Sequence, residues 1–121
     1  MFIMESNKFE DIRPYTDDEI SAAMDRIAGS TSFPLLASYV FPDRNIDDVR
    51  REVRSYKTIH DFQMGIMYWA NRMIIEDSTE SFTCGGMENI GSSTQYAHLY
   101  VSNHRDIMLD AALFQNVLVD N

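Results

Sequence analysis

The feature that most constrains this chain is a change of apolar rhythm near residue 76. Up to Ile75 the apolar side chains recur every three or four residues, the spacing of one helix face. Beyond it they fall in short clusters between glycines and polar turns. A chain patterned this way is expected to fold as helices first and as short strands with a covering helix afterwards.

The helical part reads as four segments after a lead-in over residues 1–15 that Pro14 closes. Thr16, Asp17 and Asp18 supply capping oxygens, Ile20, Ala23, Met24 and Ile27 follow at helical spacing, and Gly29 stops the run. Ser32 and Pro34 open a second helix with Leu35, Leu36, Tyr39 and Val40 facing inward, and Pro42 closes it. Asn45 followed by Asp48 caps a third, with Ile46, Val49 and Val53 on one side. The longest helix is expected from about Thr58 to about Ile75. Its apolar positions, among them Phe62, Ile66, Trp69 and Met73, cover an arc wide enough to imply burial on more than one side.

Past residue 76, Ser81-Phe82-Thr83-Cys84 before Gly85-Gly86 reads as a short strand and turn, and Gly91-Ser92-Ser93 as a loop. Tyr96-Ala97-His98-Leu99-Tyr100-Val101 is strand-like and ends at Ser102-Asn103-His104. From about Asp106 the pattern turns helical again through Ile107, Met108, Ala111, Ala112, Leu113, Val117 and Leu118. The expected fold class is therefore an α+β or α/β fragment, with a helical region over 1–76 and the incomplete start of an α/β domain over 77–121. A strand pair with one covering helix is marginal in water, which suggests a cut chain with an exposed sheet edge able to pair with a second copy.

Composition removes several classes of function. A net charge of −9 repels polyphosphate, so nucleic acid is not an expected partner, and no broad basic face is offered to anionic lipid. The one cysteine, Cys84, cannot close an internal disulfide and points to a reducing compartment. The apolar stretches Phe33 to Phe41 and Gly65 to Ala70 fall far short of the roughly 20 residues that cross a bilayer, so membrane contact is expected only at the periphery.

The segment Leu99-Tyr100-Val101-Ser102-Asn103-His104-Arg105-Asp106-Ile107-Met108-Leu109-Asp110 resembles the first motif of the glycerol-3-phosphate and 1-acylglycerol-3-phosphate acyltransferase family. Phe9-Glu10-Asp11-Ile12-Arg13-Pro14-Tyr15 and the helical region to about residue 76 look like the N-terminal extension of a longer bacterial branch. The resemblance covers most of this chain but only the opening portion of such a protein. It implies His104 as general base, with Asn103 and Arg105 on the substrate side. The acyl donor would be a coenzyme A or acyl-carrier-protein thioester and the acceptor a glycerol-phosphate-type hydroxyl, in phospholipid biosynthesis. Neither metal nor cofactor is implied, and the expected location is cytoplasmic, peripheral to the inner face of a membrane.

Such chemistry suits those residue types. An alcohol attacks a thioester well only when a base takes its proton, and imidazole changes protonation near neutral pH. A carboxylate on the other ring nitrogen fixes the tautomer and stabilises the imidazolium that forms. The family usually places four residues between histidine and aspartate, where this chain has Leu109. Asp110 is the favoured orienting acid, with Asp106 as the alternative or as a helix cap. The family's later motifs would lie past Asn121, so little turnover is expected of these 121 residues alone.

Blander assignments compete with this one. His104-Arg105-Asp106 is similar to a kinase catalytic loop, but the position that loop needs as asparagine is Ala111. His98 and His104 share strand parity, without a third metal ligand at a telling spacing. Arg50, Arg54 and Lys57 suit a solvated face, His60 a helix cap, Cys84 a buried small side chain, and Met64, Met67 and Met73 core filler. A non-catalytic helical interaction module stays as the alternative to the enzyme.

Overall fold

The computed structural model describes residues 8–90 and 97–121, which fall in two compact units, Met1–Gly65 and Ile66–Asn121. Regular structure among the described residues is helical: α1 (Asp17–Gly29), α2 (Phe33–Val40), α3 (Ile46–Ser55), α4 (Ile59–Phe62), a π-helical segment (Gln63–Met67), α5 (Tyr68–Ser78), a single 3-10 turn (Met87–Asn89) and α6 (Leu109–Asp120). No strand occurs among them, so the expected α+β or α/β architecture is corrected to an all-helical one. With it goes, for the described residues, the sheet edge through which copies were expected to pair.

In the first unit α1 packs on α2 and α3, and α2 on α3. The buried stripe of α1 is Ile20, Ala23, Met24 and Ala28, four positions on one face of a 3.6-residue repeat. Val49 and Val53 of α3, one turn apart, meet it. Of the inward face expected for α2 only Val40 is buried: Leu35, Leu36 and Tyr39 are exposed, and Phe33 and Ala37 are buried in their place. Periodicity had little to choose between on a helix whose only polar residue is Ser38. Arg50 decides part of the matter, since its guanidinium lies 4.9 Å from the Phe33 ring and donates to the Ala28 carbonyl at the end of α1.

Side chains close the helix starts. Asn45 accepts the Asp47 and Asp48 amides at 2.9 and 3.3 Å, a cap worth about 1 kcal/mol. Thr58 and Asp61 exchange bonds at the start of α4, and Asp17 accepts the Ile59 amide at 2.8 Å, tying that start to α1. Ahead of α1, Arg13 forks onto both oxygens of Glu19 at 2.9 Å, while Glu19 accepts the Thr16 amide at 2.8 Å. These bonds, the Arg13 side chain first and the Thr16 amide next, pull the Glu19 carboxyl down from 4.5 to about 2.

A carboxyl with a depressed folded-state value adds stability above its unfolded value and loses it as pH falls toward the folded one. The Glu19 contribution is therefore present above pH 4.5 and fades between there and about 2. Acid titration of Glu19→Gln is expected to show a shallower loss of stability across that window than the unaltered protein. Equal slopes would remove the Arg13–Glu19 fork from the stability of the first unit.

Gly65 sits where a larger residue cannot. A β-carbon there would collide with the hydroxyl and ring of Tyr56, which is buried and donates to Glu52 at 3.0 Å. Alanine normally gains about 1 kcal/mol over glycine inside a helix, but overpacking costs about 1–3 kcal/mol. Gly65→Ala is expected to destabilise the protein in urea unfolding and to stabilise it once Tyr56 is also alanine. A gain in both backgrounds would contradict this close approach.

In the second unit α5 packs on α6. The wide buried arc expected along the long helix is not found: of α5 only Asn71 and Ile75 are buried, and Trp69 is 51% exposed. Two asparagines hold the pair together instead. Asn71 Nδ2 donates to Asn116 Oδ1 at 3.1 Å and to the Ala112 carbonyl at 3.2 Å, and Asn116 Nδ2 donates to the Tyr68 carbonyl at 3.2 Å. Both are almost wholly buried, and no buried side-chain polar atom among the described residues lacks a partner.

Residues 81–84 and 97–101, expected as strands, run irregularly along the surface. Tyr100 packs edge-on against Phe114 of α6, ring centres 5.0 Å apart, while Leu99 and Val101 are 90% and 88% exposed. The alternation of a strand is present, but a strand needs a backbone ladder and neither segment is given one. Gly91-Ser92-Ser93, Tyr96 and residues 1–7 lie outside the described residues.

Candidate functional site

The residues singled out around His104 come together where the chain enters α6. Asp106 Oδ1 accepts the Met108 and Leu109 amides, both at 2.9 Å, and its carbonyl accepts the Asp110 amide at 3.2 Å. A helix start leaves its first amides without carbonyl partners, and a short acidic side chain just ahead of it supplies them. Asp110, four residues on, reaches backwards. Its Oδ2 accepts the Arg105 amide at 2.6 Å and the Asp106 amide at 2.9 Å. The same oxygen lies 3.3 Å from His104 Nδ1.

The two acids therefore divide the work. Asp106 faces forward into the helix, and Asp110 faces back to the imidazole. The extra residue between His104 and Asp110 is taken up in the turn, so the acid reaches the ring despite the six-residue separation. The Asp106 amide, and after it the Arg105 amide, hold the Asp110 carboxyl below the usual carboxylate range, with further pull from His104 and Arg105. Asp110 is thus an anion at neutral pH beside a ring that can carry the opposite charge.

The site is open. The His104 side chain is 59% exposed and that of Asp110 27%. Asn103 and Arg105 are exposed as well, and neither side chain makes a hydrogen bond or ion pair with the described residues. With Nδ1 turned to Asp110, the ring's Nε2 is left as the nitrogen that can meet a hydroxyl. The two backbone amides that hold Asp110 are the part of the site that residue types alone did not reveal.

Other residues weighed from the sequence lie elsewhere. His98 stacks on Tyr100, ring centres 6.1 Å apart. No group of three His, Cys, Asp or Glu side chains among the described residues is placed to hold a metal. Cys84 is exposed rather than buried, its Sγ 3.7 Å from the Gly85 carbonyl. Arg50 and Arg54 face Asp47 and Asp25 at 3.8 and 3.7 Å, and Lys57 donates to Ser21 at 2.9 Å. An apolar pocket of about 300 Å³ in the first unit is lined by Met24, Ile27 and Phe62 among others, not by Met64, Met67 or Met73. No helix of the described residues is long and apolar enough to cross a membrane.

No family model, no curated protein and no solved structure matches the chain.

Proposed function

We propose that these residues are the N-terminal part of an acyltransferase that moves a fatty acyl group from a coenzyme A or carrier-protein thioester to a glycerol-phosphate-type hydroxyl. The observation that carries this is the single Asp110 oxygen set 3.3 Å from His104 Nδ1 while two backbone amides hold it. Imidazole oriented by a fixed anion is the arrangement that general-base attack by an alcohol requires. His104 Nε2 takes the hydroxyl proton as the oxygen attacks the thioester carbonyl. The carbon–sulfur bond then breaks, and the departing thiolate takes the proton from the imidazolium. Asp110 stays ionised throughout and steadies the charged ring.

In this proposal Asn103 and Arg105 flank the acceptor, and the protein works in the cytoplasm with peripheral access to a lipid surface. A ring 59% open to water has no means of its own to exclude hydrolysis, and positioning the acceptor falls to residues beyond this pair. The test is acyl transfer from a long-chain acyl thioester to glycerol phosphate and to its monoacyl form, using protein expressed from its complete coding sequence. Ester formation is expected. Absence of ester with both donor types and both acceptors would remove the enzyme and leave the second reading, a helical interaction module, which the helical structure of the described residues favours.

A further inference from the structure

Asp106 forms no hydrogen bond or ion pair with the imidazole, yet the turn that holds Asp110 is built on it. Its Oδ1 holds the Met108 and Leu109 amides, and its carbonyl holds the Asp110 amide. These bonds fix the turn over residues 105–109. The outer edge of that turn is the pair of amides, from Arg105 and Asp106, that grips Asp110 Oδ2. If the turn opens, those amides move away and Asp110 is free to swing into solvent, since its side chain is already 27% exposed. Few other contacts would resist such opening, because Ile107 and Met108 within the turn are 82% and 81% exposed.

We propose that Asp106 is a positioning residue, whose carboxylate closes the turn into α6 and through it keeps Asp110 against His104 Nδ1. This rests on the acyltransferase reading of the dyad but assigns Asp106 a role that neither the dyad nor its chemistry requires. The role depends on an oxygen at the right reach and not on charge. Asparagine keeps that oxygen and caps helices as well as aspartate, whereas glutamate keeps the charge and places it one methylene too far.

Nitrogen NMR of the His104 ring in its neutral form, in the 121-residue chain, separates these cases. A carboxylate 3.3 Å from Nδ1 favours the Nδ1–H tautomer of a neutral imidazole, because a proton on that nitrogen faces the negative charge. Asp106→Asn is expected to keep the tautomer ratio of the unaltered chain. Asp106→Glu is expected to shift it toward Nε2–H as far as Asp110→Ala does, with helix content by circular dichroism confirming that each variant folds. An unchanged ratio in Asp106→Glu, or a shift in Asp106→Asn as large as that in Asp110→Ala, would overturn the positioning role. A ratio unmoved by Asp110→Ala would instead remove the dyad, and the proposed enzyme with it.

Discussion

Replacing His104 by alanine is expected to slow acyl transfer by roughly 10²–10⁴-fold, the usual worth of a positioned general base. The loss should fall on kcat and leave the KM for acceptor nearly unchanged, because the imidazole acts on a proton that moves only in the transition state. His104 stands on an irregular segment and contributes nothing to either buried stripe, so unfolding curves of the variant should overlay those of the unaltered protein. The exposure of the ring offers a second check. An imidazole 59% open to solvent leaves a gap that a small base can enter once it is removed, and added imidazole is expected to restore part of the rate. A variant that keeps its full kcat would exclude His104 from the chemistry.

Asn116→Ala is expected to destabilise the second unit by about 2–3 kcal/mol, read from urea unfolding. Asn116 is 1% exposed and joins Tyr68 of α5 to Asn71 through both ends of its amide. Alanine leaves a small cavity and strips Asn71 of one of its two acceptors, and an unmet buried polar group costs more than a met one contributes. The asymmetry gives the prediction a second edge. With Asn71 and Asn116 both changed to leucine the loss should be smaller than with Asn116→Ala alone, since no polar atom is then stranded. A single variant within about 0.5 kcal/mol of the unaltered protein would mean that α5 and α6 are held by something other than this pair.

The helices were largely legible from local chemistry. Asn45 and Thr58 stand at helix starts because their side chains take amides that the first turn leaves open, Thr16 because Glu19 takes its amide, and the burial of Ile20, Ala23, Met24, Val49 and Val53 follows from spacing alone. The inward face of α2 was not legible, because seven of its eight residues are apolar and packing against Arg50 and α1 selects among them. The strands failed for a different reason. Side-chain alternation at Leu99, Tyr100 and Val101 describes a preference, but a ladder is a long-range pairing that no local pattern supplies. Asn71 and Asn116 were hidden because each looks like a surface amide until the partner 45 residues away is brought beside it.

The site was legible as residue types and not as geometry. His104 with Asp106 and Asp110 states that a base and two acids are near one another. Which acid faces the ring depends on where the backbone amides of Arg105 and Asp106 point, and that is decided by the turn into α6.

In the proposed reaction one proton passes to an imidazole held by one acid. A kinetic cycle of His104→Ala, Asp110→Ala and the double variant, in protein from the complete coding sequence, measures this most directly. Residues that act as a unit are strongly non-additive. Asp110→Ala should therefore slow acyl transfer markedly when His104 is present and cost almost nothing further once His104 is alanine. Losses that multiply in the double variant would show the two side chains acting independently, and the dyad would not be the engine of the reaction.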